Sequence, residues 1–517
     1  MSITSFSYLL MILLGTILYY VLPKSWQWVE LLIMSLVFYF MAAEPYTILY
    51  LIVSTFTTYL ATCYTAGRST QTPKGKKIAI TLGIMAVFIN LFLWFIFKGT
   101  DIWISLSYRL GISGLLSDSS GMISYVASLG MGYYTLQVIG YILDCYWDNV
   151  EPQINPLKLF LFVCFFPQMT TGPISRYGQL ETLYEKHQFS YRNISFGAQR
   201  ILWGFFKKLV LAERVGLIVN GIWDNLDIYT GFWRWVALLL FPIQMYADFS
   251  GCMDIVIGTA EIFGIKLPEN FNSPFFARTA QEFWQRWHIT LGTWAKDYVL
   301  YPVLKSKMMV KFSKFSKKKF GKRTGKFIAT ATGMFVLWIV MGLWHGAFKY
   351  VIGVSLWYWV LLMLGELCDP VFKKVNRFLH IPEDTFSWHL IQSARTYLIY
   401  AFGATFFRAP SIGAGVKFIV GLKDVFLSET CNPWIFFNGT VKGLGVTYQD
   451  INVMILAVLL LVIAAVLRER YGFAREWISK QLFVFRWFIW LSLFALVLIL
   501  GKYGSEYNAA EFIYQRF

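Results

Sequence analysis

Apolar runs long enough to cross a bilayer dominate the chain and begin close to its start. Residues 4–23, TSFSYLLMILLGTILYYVLP, carry no charge over the length a transmembrane helix needs. No basic stretch precedes this run and no small-residue cleavage site follows it, so it reads as a retained span and not a leader. Further spans are predicted at 27–43, 47–66 and 78–97. The middle of the chain is less regular: 122–147, 158–172, 194–222 and 230–263 are apolar but broken by Gly, Pro and charge. Residues 271–302 are too polar to face lipid, and such a segment is tolerated at membrane depth only inside protein or beside water. Apolar runs resume at 327–348 and 351–368, with two more between 390 and 420, then 452–467 and 484–502. The pattern predicts an all-α polytopic membrane protein of roughly ten to thirteen membrane segments. With no repeat and no low-complexity linker, residues 1–517 read as a single integral domain, closed by C-terminal helices over 390–517.

Composition agrees. The chain is 57% hydrophobic and 15% charged, where a soluble domain carries about a quarter charged residues. Its 21 Trp and 30 Tyr suit aromatic belts at the two interfaces. The net charge of +17 is concentrated: ten basic residues and no acid lie between Lys305 and Lys326. A basic cytoplasmic loop at 305–326 follows from the positive-inside rule, with attraction to anionic membrane lipid as a compatible effect. No nucleic-acid-binding motif accompanies the charge. A second basic stretch, GRSTQTPKGKK at 67–77, and Lys24 agree on one orientation, with the N-terminus extracytoplasmic in a cell (plasma) membrane. The six Cys are scattered without a C-x-x-C pair, which supports neither a metal site nor a disulfide framework.

Two segments carry chemistry that lipid would not accept. EFWQRWHITLGTWAKDYVLYP, 282–302, packs His288, Arg286, Lys296 and Asp297 among tryptophans. Read as one helix, it aligns Trp287, Leu291, Trp294 and Tyr298 on an apolar stripe and pairs Glu282 with Arg286 at i, i+4. Such a helix is either a Trp-rich interfacial belt with snorkelling cations or the wall of a polar cavity. The second segment, MGLWHGAFKY at 341–350, sets His345 between Gly342 and Gly346 in an apolar stretch. His345 is either a core histidine held by a backbone carbonyl or a proton-handling imidazole facing a tunnel. No G-x-S-x-G, H-E-x-x-H, Walker A or strand-linked G-x-G-x-x-G occurs, so hydrolase, metalloprotease and nucleotide-motor readings lack support. Acyl transfer from a thioester to a hydroxyl fits two membrane-embedded histidines. A proton-coupled lipid or polysaccharide transporter is the reading from another class.

Several distinctive stretches follow one another along the chain: GMGYYTLQVIGYILDCY (130–146), FFPQMTTGPISRY (165–177), GAQRILWGFFKKLVLAERV (197–215), the run 246–299, GLWHGA (342–347) and FFRAP (406–410). In this order, with the core match over 122–350, they resemble the membrane-bound O-acyltransferase (MBOAT) family, in the bacterial branch of alginate O-acetylation and teichoic acid D-alanylation. The resemblance implies a ring of tilted transmembrane and re-entrant helices around a central tunnel. His345 takes the position of the family's catalytic histidine and His288 that of its second functional histidine. Asn272, Arg286, Trp287, Asp297, Trp344 and Asp248 become candidates for positioning the substrate or lining the tunnel, Asp248 serving equally well as a helix cap. The co-substrate implied is a cytoplasmic acyl thioester, acetyl-CoA or an acyl carrier protein, with no bound cofactor or metal. A secreted or membrane-anchored SGNH-type acyltransferase is the implied partner for O-acetylation of an extracellular or cell-wall polysaccharide. Length favours that branch over D-alanine transfer to teichoic acid. After KDYVLYP the chain departs from alginate-type members with a longer basic stretch, where Lys317, Lys318 and Lys319 are candidates for docking the donor.

Overall fold

A computed structural model describes residues 1–66, 72–98, 101–111, 129–426 and 440–503. Residues 67–71 of the first basic stretch, 122–128 of a predicted span, Cys431 and the last fourteen positions of the C-terminal region (504–517) lie outside these. Among the described residues there is no strand, and one isolated bridge pairs Phe271 with Trp287. Among the described residues, eight helices are long and apolar enough to cross a membrane: Lys24–Ala42, Pro45–Tyr64, Pro73–Phe97, Phe232–Ile262, Lys322–Trp344, Phe348–Phe378, Tyr448–Tyr471 and Phe483–Leu500. Phe6–Val21 adds a shorter apolar helix. The chain is thus an all-α polytopic membrane protein, as its hydrophobic pattern predicts.

Local chemistry sets the helix ends. Thr72 caps the fourth helix by accepting from Gly75 N, and Pro73 occupies its first turn, where a missing N–H costs nothing. Lys74, Lys76 and Lys77 of the first basic stretch are therefore helical. One expectation needs correction. Between 390 and 420 one long helix, Phe386–Arg408, is followed by Ile412–Val420, whose nine residues reach about 13 Å and fall short of a span. The basic stretch 305–326 is helical over most of its length. Ser306 caps a helix Lys307–Phe320, and Gly321, at φ 82°, turns the chain directly into Lys322–Trp344. Gly325 lets the two helices touch: a Cβ there would lie 2.4 Å from the Lys317 backbone.

The described residues form two compact units, Met1–Ile201 with Cys252–Glu269, and Leu202–Gly251 with Asn270–Phe517. In the first, Tyr8 packs edge-on against Phe38 and Phe166 at 5.7 and 6.3 Å. Helices Tyr191–Phe205 and Phe232–Ile262 meet at Gly197 and Gly258, where a Cβ on either would come within 2.6 Å of the other's carbonyl oxygen. Arg200 clasps Glu269 through both oxygens at 2.6 Å and Asp254 at 3.0 Å.

The second unit carries three π-helical turns, Phe206–Ala212, Lys296–Leu300 and Val351–Leu356. Such turns insert one residue per turn and recur at functional sites because they re-aim side chains. The first of them places Lys208 against Asp248 at 2.5 Å and Glu213 at 2.7 Å, and Lys207 donates to Ser250 Oγ at 2.8 Å. This unit also contains the candidate site.

Candidate active site

The segment 282–302 is not one helix. Ala280–Arg286, capped by Thr279, ends at Trp287 in extended conformation. His288 then adopts φ 46°, ψ 51°, and Ile289–Ala295 starts a new helix that passes into the π turn at Lys296. Left-handed backbone is uncommon for a residue with a side chain, though histidine tolerates it better than most. What holds the kink is tertiary. Phe271 bridges to Trp287, Asn272 N donates to Arg286 O at 2.9 Å, and Ile289 N donates to Asn270 O at 3.0 Å. The i, i+4 pair of Arg286 with Glu282 forms as expected at 2.9 Å, and Glu469 joins it. Trp287, Leu291, Trp294 and Tyr298 are all buried, although the kink takes them off a common helical stripe.

His288 is 3% exposed. Its Nδ1 lies 3.2 Å from Asn270 Oδ1, which also accepts from Thr290 N at 3.1 Å and Thr290 Oγ1 at 2.9 Å. Phe249 meets the ring edge-on at 4.9 Å. Complete burial lowers the imidazole's pKa to about 3, so the ring is neutral near pH 7.

His345 ends helix Lys322–Trp344, and Gly346, at φ 93°, makes the turn that a side chain would strain. Gly342 allows close approach as its place in the sequence suggests: a Cβ would sit 2.8 Å from Val351 Cα. The His345 ring is packed by Tyr350 at 5.5 Å and Phe407 at 5.3 Å. Trp344 contacts both imidazoles, with ring centres 4.8 Å from His345 and 6.4 Å from His288.

His288, His345 and Trp287 line one cavity of about 1540 Å³. Trp284, Met245, Tyr400 and Phe407 furnish its apolar wall. Its lining extends to Arg323, Glu366, Asp369, Lys373 and Arg395, so an apolar chamber holding two imidazoles continues into a charged region. This is the arrangement a small-molecule site takes, apolar walls with few convergent polar groups.

The other candidates fall elsewhere. Asn272 and Arg286 brace the kink, Arg286 also donating to Asn272 O at 3.3 Å, and neither lines the cavity. Asp297 lies on the π turn, where its neighbour Lys296 reaches the lining instead. Asp248 is neither a helix cap nor part of the lining: it is 2% exposed in the middle of Phe232–Ile262, paired with Lys208. Lys317, Lys318 and Lys319 sit on the exposed last turn of Lys307–Phe320, outside the lining that Arg323 reaches. Sequence reasoning missed Asn270. It belongs to ENFNSPF, beside Asn272, and the structure separates the two: Asn270 is buried against His288 and Thr290, whereas Asn272 is exposed.

Comparison with known proteins meets this geometry. Residues 148–378, which include both histidines, match the membrane-bound O-acyltransferase family, MBOAT. A probable alginate O-acetylase of Pseudomonas syringae pv. tomato is 29% identical over 55% of this chain and 49% of its own length. A peptidoglycan O-acetyltransferase of Helicobacter pylori is 28% identical over 69% of this chain and 67% of its own. A teichoic acid D-alanyltransferase of Bacillus subtilis is 28% identical over 49% of this chain and 61% of its own. The alignment thus spans about half the length of the first relative and about two thirds of the second. The similarity to the membrane-bound O-acyltransferase family thus rests on residues 148–378, the stretch that carries both histidines.

Proposed function

We propose that the chain is a membrane O-acyltransferase that moves a small acyl group from a cytoplasmic thioester toward a hydroxyl of an extracellular or cell-wall polymer. The observation that carries this reading is one cavity lined by two histidines within the family domain. His345 takes the proton of the accepting hydroxyl as its oxygen attacks the thioester carbonyl. A C–O bond forms and the C–S bond breaks. The imidazolium returns its proton to the departing thiolate, so acid and base roles balance over one turnover. His288 orients the reactants, and Trp344, in contact with both rings, fixes their spacing.

Acetyl from acetyl-CoA is the first assignment of the acyl group. Two of the three relatives described are named for acetyl transfer, and a secreted or membrane-anchored SGNH-type acyltransferase would complete delivery to the polymer. The name of the Bacillus subtilis relative supports D-alanyl from a carrier-protein thioester as the second assignment. The reading places the chain in the plasma membrane with its N-terminus extracytoplasmic, on the agreement of Lys24 and the basic residues at 67–77.

The test is acylation of surface polymer by cells carrying His345→Ala, with membrane insertion checked in parallel. Loss of a general acid–base residue costs about 10²- to 10⁴-fold in rate. His288→Ala is expected to lose less, because it removes orientation and keeps the base. Wild-type acylation in an inserted His345→Ala chain would overturn the catalytic assignment. Supplying acetyl-CoA or a D-alanyl carrier protein to membranes separates the two acyl groups.

A further inference from the structure

We propose that Asn270 is a positioning residue that locks His288 in the tautomer protonated at Nδ1, so that the imidazole meets its substrate as a hydrogen-bond acceptor through Nε2. The argument begins with a donor that cannot reverse. The backbone N–H of Thr290 points at the Asn270 side chain at 3.1 Å, so the atom receiving it is the amide oxygen and not the amide nitrogen. The same oxygen receives the Thr290 hydroxyl at 2.9 Å and faces His288 Nδ1 at 3.2 Å. An amide oxygen has no proton to give, so Nδ1 must supply it. A neutral imidazole carries one ring proton, and the lone pair therefore lies on Nε2.

The surroundings keep this arrangement. Asn270 is 1% exposed, and its backbone oxygen takes the N–H of Ile289 at 3.0 Å. Asn270 thus grips the chain on the C-terminal side of the kink through both its backbone and its side chain. The Phe271–Trp287 bridge and the Asn272–Arg286 hydrogen bond hold the other side. Phe249 restrains the ring that Asn270 orients.

The consequence deepens the acyltransferase reading and rests on it. In this tautomer Nε2 offers no proton to the thioester carbonyl, so His288 does not polarise the donor. Its substrate partner carries an O–H or N–H, and in acyl transfer the group that fits is the accepting hydroxyl. His288 then aims that hydroxyl while His345 removes its proton.

Nitrogen-15 spectroscopy of the full chain labelled at histidine, with His288→Asn to assign the signal, reads the tautomer directly. The expected spectrum shows a protonated Nδ1 and an unprotonated Nε2 at His288; a protonated Nε2 would overturn the proposal. Asn270→Ala should abolish the preference and lower kcat about ten- to a hundredfold, as loss of a group that orients a histidine ligand typically does. KM for the thioester should stay unchanged. Asn270→Asp, still an acceptor, should keep the tautomer and restore most of kcat. Wild-type tautomer and turnover in Asn270→Ala would remove the positioning role. The spectrum needs no turnover and is read on the native chain, so it stands if Asn270→Ala fails to fold. An inactive wild-type chain would sink the functional reading and leave the tautomer test intact.

Discussion

Lys208 and Asp248 place opposite charges where each side chain is almost fully covered, 3% and 2% exposed. Desolvating such ions costs several kcal/mol each, which their attraction and the added Glu213 contact at 2.7 Å must offset. The pair is therefore dangerous to halve. Asp248→Leu alone should destabilise the purified chain by about 3–5 kcal/mol, whereas Lys208→Met with Asp248→Leu should recover most of the loss. Thermal unfolding in detergent measures both, and equal losses in the single and double variants would mean that the charges do not support one another. Residue-scale legibility divides along the same line. His345 and His288 are conspicuous because imidazoles interrupt apolar text. The partner of a buried charge is not conspicuous: Lys208 and Asp248 lie forty positions apart, and their pairing depends on a π turn that leaves no mark in composition. Asn270 escaped for a similar reason. It stands beside Asn272 in ENFNSPF, and nothing local prefers one to the other.

At the scale of elements, the long apolar helices were readable because burial in lipid demands an unbroken run, and their ends follow caps and prolines. The kink at Trp287–His288 was not readable. No Gly or Pro marks it, and the helical stripe through Trp287, Leu291, Trp294 and Tyr298 argues the other way. Contacts with 270–272 impose the break. The approach of helix Lys322–Trp344 to the π turn Val351–Leu356 is likewise tertiary, and Gly342 is its seam. A Cβ there would meet Ser355 Oγ, and backbone at Val351 Cα and N at 2.8 and 3.1 Å, and the backbone cannot swing aside. Gly342→Ala should therefore push the π turn away from His345. Overpacking of this kind costs about 1–3 kcal/mol, and acyl transfer should fall with the melting temperature. Gly365→Ala is the control, since a Cβ there meets nothing within 4 Å although the residue lines the same cavity. If the two variants behave alike, close packing at Gly342 does not set the site.

The charge of the whole molecule is +17, and its densest part is the hairpin formed by Lys307–Phe320 and the start of Lys322–Trp344. Sequence alone identified that concentration but not its shape, because lysine-rich text suits an exposed loop and an exposed helix equally well. The helical form separates two groups of cations. Lys317, Lys318 and Lys319 are exposed beyond the cavity, whereas Arg323, two residues past Gly321, belongs to the lining that also holds both histidines. On the proposed reading, an anionic thioester donor feels the lysines as a diffuse field and Arg323 as a contact. Salt distinguishes these roles, since exposed charges are screened beyond about 8 Å at physiological ionic strength. Replacing the three lysines with Gln should raise KM for the donor at low salt, and the difference from wild type should vanish as salt increases. Arg323→Gln should raise KM several-fold with a difference that persists at high salt, because a fork of N–H donors at a phosphate acts through geometry as well as charge. Steady-state kinetics with acetyl-CoA at two ionic strengths decide it: unchanged KM in Arg323→Gln would move the donor's entrance away from this hairpin.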